Sequence, residues 1–166
     1  MLVNGEAKGY SKLLCLRFQI ADSQLAIESR YIVEILPLIV ITKVLRAPPG
    51  LAGTINYHGE FLPVIDLSEL VLERPSPAQL STRIIVAQFH EDDNTLRRLG
   101  LVVGNATETM RCEPTDFVSP GIVPSDAPYL GPIVVGLSGL VQRIELNRVL
   151  PRSLRDALSK HLASAG

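Results

Sequence analysis

Two stretches of this chain end alike. Ile65-Asp66-Leu67-Ser68-Glu69-Leu70-Val71 is echoed by Ile144-Glu145-Leu146-Asn147-Arg148-Val149-Leu150, 79 residues further on. In each copy an apolar–acid–apolar triplet closes a strand, and a residue with helix-capping chemistry, Ser68 or Asn147, starts a short helix. Asp66 reads as hydrogen-bonding the start of its helix rather than as a catalytic acid. Each copy also follows a hairpin that begins just after a glycine, Gly53 or Gly131. The echo predicts two similar β units of ~80 residues, each marginal alone and supported by the other.

Period-two patterning supports a mainly β chain. Leu14, Leu16, Phe18 and Ile20 alternate with Cys15, Arg17 and Gln19, which predicts a strand with one buried face and Cys15 as a small buried residue. Leu25 and Ile27 continue a second strand across the Ala21-Asp22-Ser23 turn. Residues 30–36 fit a strand or a helical turn, which Pro37 stops, and Ile39 to Val44 is β-branched enough to read as strand. Residues 54–57 and 61–65 flank His58-Gly59 as a hairpin in which Gly59 supplies positive φ, with Pro63 at an edge or bulge. Further strands are expected at 83–89 and 96–103, joined by a solvated tip at Glu91-Asp92-Asp93-Asn94, and at 133–135 and 140–146. Five prolines stiffen residues 114–132 into a long loop. Leu150, Leu154, Leu158 and Leu162 put one apolar stripe on a final helix begun by Pro151.

Composition removes several function classes. Of the 166 residues 46% are hydrophobic, enough for a sizeable core, and the formal net charge is −1, which favours neither nucleic acid nor anionic lipid. Arg143, Arg148, Arg152, Arg155 and Lys160 read as a solvated basic face. The opening MLVNGEAKGYSK has no apolar core of a signal peptide. The longest apolar stretch, residues 32–41, is about half the ~20 residues a membrane span needs. Two cysteines with no such signal fit a reducing compartment, so a cytoplasmic chain without membrane insertion is expected.

Catalytic and metal chemistry is not legible. His58, His90 and His161 stand in no HxxxH or HxH spacing, no CxxC exists, and the carboxylates at 91–93 lack the glycine and distal Glu of a calcium loop. There is no P-loop and no GxGxxG, and GLSG at 136–139 falls a residue short of a nucleophile elbow. No cofactor or metal is expected.

From Gly53 to Leu67 the sequence runs GTINYHGEFLPVIDL, and this block resembles the CheW-like domain family, adaptors that couple chemoreceptors to a histidine kinase in bacterial arrays. Val33-Glu34-Ile35, Ile41-Thr42-Lys43-Val44 before Pro48-Pro49, Gly100-Leu101-Val102-Val103 and Tyr129-Leu130-Gly131 fall in the family's order, and the similarity covers about residues 13–150. The resemblance implies two packed small five-stranded SH3-like β-barrels with short helices and a C-terminal helix. The expected division is a flexible N-terminus over 1–12, a domain over 13–150 (first barrel about 13–75, second about 80–150) and a helix and tail over 151–166. It implies no catalysis. Its implied partners are the cytoplasmic tip of a chemoreceptor, the regulatory domain of a histidine kinase and other CheW-like chains, in arrays at the inner face of the membrane.

The resemblance implies contacts at Glu34, Gly53 and the turn Asn56, Tyr57, His58 and Gly59; Ile35 and Val44 join Tyr57 as expected contact residues in an apolar cluster, whose exposure would favour binding. Three of them have a blander reading: Glu34 as a surface acid, Gly53 as a backbone requirement, His58 as an exposed turn residue. The family usually has arginine where this chain has His58, and histidine offers fewer donors and is mostly neutral near pH 7. That departure points to an accessory pathway: surface sensing, pilus motility or a cyclic-dinucleotide output. Gly104 is a second departure, at a position where related chains commonly place an acid. The competing class is a small-molecule sensor or degenerate enzyme using the cleft between barrels, which needs a deep pocket with convergent polar groups. A third possibility is a structural filler that touches other scaffolds but no receptor.

Overall fold

A computed structural model describes residues 12–136 and 139–165, with the side chains of 107 and 159–165 left aside. The expected flexible N-terminus therefore lies, except for Lys12, outside the described residues, as do the side chains of Lys160, His161 and Leu162.

Among the described residues nine strands form one continuous sheet: β1 (Leu13–Ile20), β2 (Ser23–Glu28), β3 (Ile32–Pro37), β4 (Leu51–Tyr57), β5 (Glu60–Asp66), β6 (Thr82–His90), β7 (Leu96–Cys112), β8 (Leu130–Gly136) and β9 (Gly139–Ile144). The described residues also form two α-helices, α1 (Leu67–Leu72) after β5 and α2 (Arg152–Ala165) beyond β9. Among the described residues no helix is long and apolar enough to cross a membrane.

The sheet curls into two five-stranded SH3-like barrels that share β7. Barrel 1 runs β3–β6–β7–β5–β4, and barrel 2 runs β7–β1–β2–β9–β8. Each is drawn towards closure by one isolated bridge, Thr42–Thr54 in barrel 1 and Val118–Ile133 in barrel 2. The long β7 leaves one barrel for the other at Gly104-Asn105. Gly104 is the last residue paired with β6 and also opposes Gln19 of β1. Asn105 follows in a left-handed conformation, φ 50°, that asparagine tolerates better than most residues.

The repeat is real at the level of hydrogen bonds. Leu51 pairs with Ile65 and Leu130 with Ile144; Thr54 and Ile133 carry the closing bridges. The Asp66 amide donates to the Gly50 carbonyl, and the Glu145 amide to that of Tyr129. All these correspondences keep the 79-residue offset. The second strand of each repeated hairpin also makes a parallel pairing, Val64 beside Gly100 and Arg143 beside Ala26.

The barrels do not follow the expected division near residues 75–80. The N-terminal hairpin β1–β2 belongs with the C-terminal hairpin β8–β9, while barrel 1 is built from the chain between. Parallel pairing of β2 with β9 imposes this, because it needs a long crossover, here most of the chain.

Three apolar clusters follow from strand alternation. Ile55, Leu62, Val64, Ile84, Val86 and Val102 fill barrel 1. Cys15, Ala26, Cys112, Val134 and Val141 fill barrel 2. Residues of the opposite parity, among them Phe18, Ile27, Ile65, Ile85 and Leu101, form the largest cluster, to which both barrels contribute. The expectation of one buried face for β1 is therefore corrected. Cys15 is wholly buried on the second face, and Leu14, at the strand's start, is exposed.

Other elements depart from expectation for local reasons. Residues 39–44 form no strand; only Thr42 pairs, between Pro37 and a left-handed Arg46 that turns into Pro48-Pro49. Asp66, not Ser68, caps α1, accepting from the amides of Ser68 and Glu69 at 3.0 and 3.3 Å. The matching turn after Glu145 is a single 3-10 turn, 146–148, without a side-chain cap. Asn147 instead donates to Asp92 at 2.7 Å. Pro63 precedes the point where β5 begins to pair with β7, so its missing N–H leaves no gap in that ladder. Buried Leu150, Leu154 and Leu158 seat the end of the chain on the shared cluster, with Leu154 packed near Gly50.

The tip between β6 and β7 is not solvated throughout. Glu91 is buried and ion-paired to buried Arg97, and Arg155 of α2 stands 4.0 Å from its other oxygen. Asp92 faces Arg148 at 3.5 Å. The tip thus ties barrel 1 to the C-terminal segment.

Candidate functional site

The β4–β5 hairpin ends in a two-residue turn. His58 and Gly59 both have positive φ, 52° and 86°, the signature of the mirror-image turn that suits strand twist. Gly59 was the expected left-handed residue; His58 is a second. Asn56 fixes the turn by accepting from the Gly59 amide at 2.8 Å.

This turn brings three of the sequence-derived residues together. The Tyr57 hydroxyl donates to Glu34 Oε1 at 2.6 Å, and His58 Nε2 lies 3.9 Å from the same oxygen. The Tyr57 and His58 rings meet edge to face with centroids 4.4 Å apart. Glu34 is delivered from β3, where a register irregularity after Ile32 sets it opposite Val86. The hydrogen bond to Glu34 is the main reason the Tyr57 phenol is pushed above its ordinary value; desolvation and the Glu34 charge add to it, and Arg98 opposes.

Gly53 stands at the foot of the hairpin. Its φ is +148°, and a Cβ there would meet the Thr42 carbonyl oxygen at 2.2 Å. The absent side chain lets Thr54 exchange hydrogen bonds with Thr42 at 2.8 and 2.9 Å. Gly53 therefore positions the 38–46 segment that carries Val44.

Ile35 and Val44 do not join the Glu34–Tyr57–His58 cluster. Strand alternation turns Ile35 to the opposite face of β3 from Glu34, and both Ile35 and Val44 are exposed. Tyr57 is half-buried and packs against the interior of barrel 1. Val33, Val40, Leu45 and Phe61 are further exposed apolar residues on barrel 1 that the sequence reading did not single out. For Val40 and Leu45 the signal was present: Pro37 and Pro48 bracket an apolar run too short and too interrupted to be buried strand. Glu60 and Arg98, paired at 3.4 Å beside the turn, were also missed, because the β5–β7 neighbourhood is not legible from chain order.

A cleft of about 510 Å³ lies against barrel 2 and α1, lined by Ile20, Asp22, Gln24, Leu72, Leu130 and Gln142 among others. The Gln142 amide is already committed to the Gly131 carbonyl at 3.0 Å. Among the described residues no group of three or more His, Cys, Asp or Glu is placed to hold a metal ion.

Comparisons with known proteins agree with this architecture. The crystal structure of scaffolding protein TtCheW from Thermoanaerobacter tengcongensis superposes with a TM-score of 0.73 at 20% identity, over 85% of this chain and 89% of that one. No curated protein sequence matches the chain. The CheW-like domain profile matches residues 14–153, across both barrels and into α2, and the chain belongs to the CheW-like domain family.

Proposed function

We propose that this chain is a non-enzymatic signalling adaptor that couples the cytoplasmic tip of a chemoreceptor to the regulatory domain of a histidine kinase. The observation that carries the reading is the barrel 1 hairpin turn: a rigid, exposed tip on which an acid, a phenol and an imidazole converge. Exposed Val33, Ile35, Val44 and Leu45 lie on the same barrel and supply apolar surface of the kind that marks partner contacts. Membership of the family supports a scaffold over an enzyme. Other CheW-like chains are further partners, and receptor arrays would hold the chain at the inner face of the membrane.

In place of the family's usual arginine, His58 sets an imidazole with fewer hydrogen-bond donors beside Glu34. That favours an accessory pathway, in surface sensing, pilus motility or cyclic-dinucleotide output. The test is direct binding of the purified chain to the kinase regulatory domain and to the receptor tip encoded beside it. Saturable binding to either supports an adaptor, and binding to neither ends the reading. Recovery of kinase without receptor would identify a filler of the array.

The cleft beside α1 keeps a small-molecule sensor as the competing reading. A thermal-shift screen against a metabolite library separates the two, since a ligand bound only by the native state raises its apparent stability.

A further inference from the structure

The internal repeat sets Arg143 of β9 where β5 has Val64. Both residues make the parallel pairing of their barrel. Val64 is wholly buried in barrel 1. Its counterpart carries a guanidinium into the corresponding part of barrel 2, close enough to Cys15 for its charge to act on that thiol. A valine serves the fold at this position, so the fold alone does not call for a cation.

The guanidinium lies over the Phe117 ring, 4.8 Å from its centroid. Its charge is incompletely met. Nη2 reaches Glu145 Oε1 only at 3.4 Å, and the buried Nε–H has no acceptor. Two further acids stand in the neighbourhood: Asp116, next to Phe117, whose Oδ2 accepts from the Glu113 amide at 2.9 Å, and Glu28, whose charge also acts on Cys15 and which is paired with Arg30 at 3.0 Å. Arg143 also opens onto a groove of about 500 Å³ walled by Phe117, Val118, Pro120, Val123 and Pro132, and it is the one charged residue of that lining. Val118, Ile122 and Val123 are exposed in the same loop. An apolar groove with a single, poorly matched cation at its floor complements an acidic side chain flanked by aliphatic ones.

We propose that Arg143 is a recognition residue for a carboxylate on a partner polypeptide whose aliphatic neighbours lie in the groove against Val118 and Val123. The partner's identity rests on the adaptor reading; the chemistry of the groove does not. Bound, the carboxylate accepts from the guanidinium while Glu145 moves aside or shares it.

The test follows the arginine Nε–H resonances of the full chain by NMR while acetyl-Val-Glu-Val-amide is added, with acetyl-Val-Gln-Val-amide as control. The Arg143 signal is expected to shift saturably with the glutamate peptide and about tenfold more weakly with the glutamine one. Arg143→Met, which keeps bulk in place of charge as Val64 does, should fold and lose the discrimination, read there by the backbone amide resonances of Phe117 and Val118 in the groove wall. Equal response to the two peptides, or discrimination that persists in Arg143→Met, overturns the proposal. In a second arm, Arg143→Met should lower affinity for the receptor tip or kinase domain about tenfold. Unchanged affinity there removes the groove from the docking surface and leaves the adaptor reading standing. Wild-type protein that binds neither partner ends the adaptor reading, and the peptide titration then decides Arg143 alone.

Discussion

The Tyr57 hydroxyl donates to the Glu34 carboxylate at 2.6 Å, tying the tip of the β4–β5 hairpin to β3. Glu34 holds the phenol's proton, so Tyr57 ionises above its ordinary value near 10. The sign follows: the bond is intact below that ordinary value and is lost as pH rises through the raised one. In Glu34→Gln, Tyr57 should ionise at lower pH, read by ultraviolet absorbance of the phenolate. Identical titration in the two proteins would show that the bond does not form in solution. Tyr57→Phe should unfold at nearly the wild-type denaturant midpoint yet bind partner more weakly.

Gly53→Val should destabilise the fold rather than merely weaken docking. The new Cβ would meet the Thr42 carbonyl oxygen, and φ +148° suits no β-branched residue. A loss of at least about 2 kcal/mol is expected in urea unfolding. Gly59→Ala makes the comparison, since its Cβ would meet nothing within 4 Å. Its loss should stay near 1 kcal/mol, from positive φ alone.

His58→Arg should fold, with little change in urea midpoint, because histidine already bears the left-handed conformation at an exposed turn. The substitution puts a guanidinium, with its fixed charge and five donors, where the imidazole now sits 3.9 Å from Glu34. Partner preference should change, read as the affinity for each receptor tip and kinase domain. An unchanged affinity for every receptor and kinase tested would show that the turn is not a specificity element.

Glu91→Ala should be among the most damaging single changes. Arg97, buried with it, would lose its counter-ion, and breaking such a pair on one side typically costs about 3–5 kcal/mol. Chemical denaturation measures the loss. Asp92→Ala, whose partner Arg148 is exposed, should cost under about 1 kcal/mol.

Burial pushes the Cys15 thiol up to about 11; Cys112 and Glu28 add to the effect, and Arg143 opposes it. The folded protein favours the neutral thiol, so this contribution to stability is complete below the ordinary value of 9.0 and fades as pH approaches about 11. At pH 8 iodoacetamide should label Cys15 only as fast as the protein opens, and labelling should accelerate in urea.

The strands were legible because their patterns are local. Alternation places β1 and β2, and His58-Gly59 between two apolar runs announces the β4–β5 hairpin. The echo foretold two similar β units, and equivalent pairings at Leu51 and Leu130 agree with it, although a 3-10 turn replaces a helix where Glu145 fails to cap as Asp66 does. The sorting of strands into barrels was not legible, since nothing near Leu25 records that Gln142 will lie beside it. The same limit hid Glu91, which looks like part of a polar tip until Arg97 and Arg155 fold onto it. At the candidate site, Glu34 and the turn residues were found through the family resemblance. Their meeting at one oxygen depends on how β3 and β4 approach each other in three dimensions.

The interleaving of the barrels also sets an order of events on the ribosome. Every strand of barrel 1 lies between Ile32 and Gly104, so its pairings are complete once that stretch has emerged. The β1–β2 hairpin is made first but must wait for β8 and β9 before barrel 2 exists. Throughout that interval it exposes the edge that β9 will cover, and unpaired edges invite misassembly. The first hairpin of the sheet to be synthesised is therefore among the last to be finished, and a nascent chain stalled before β9 should be the form most in need of a chaperone.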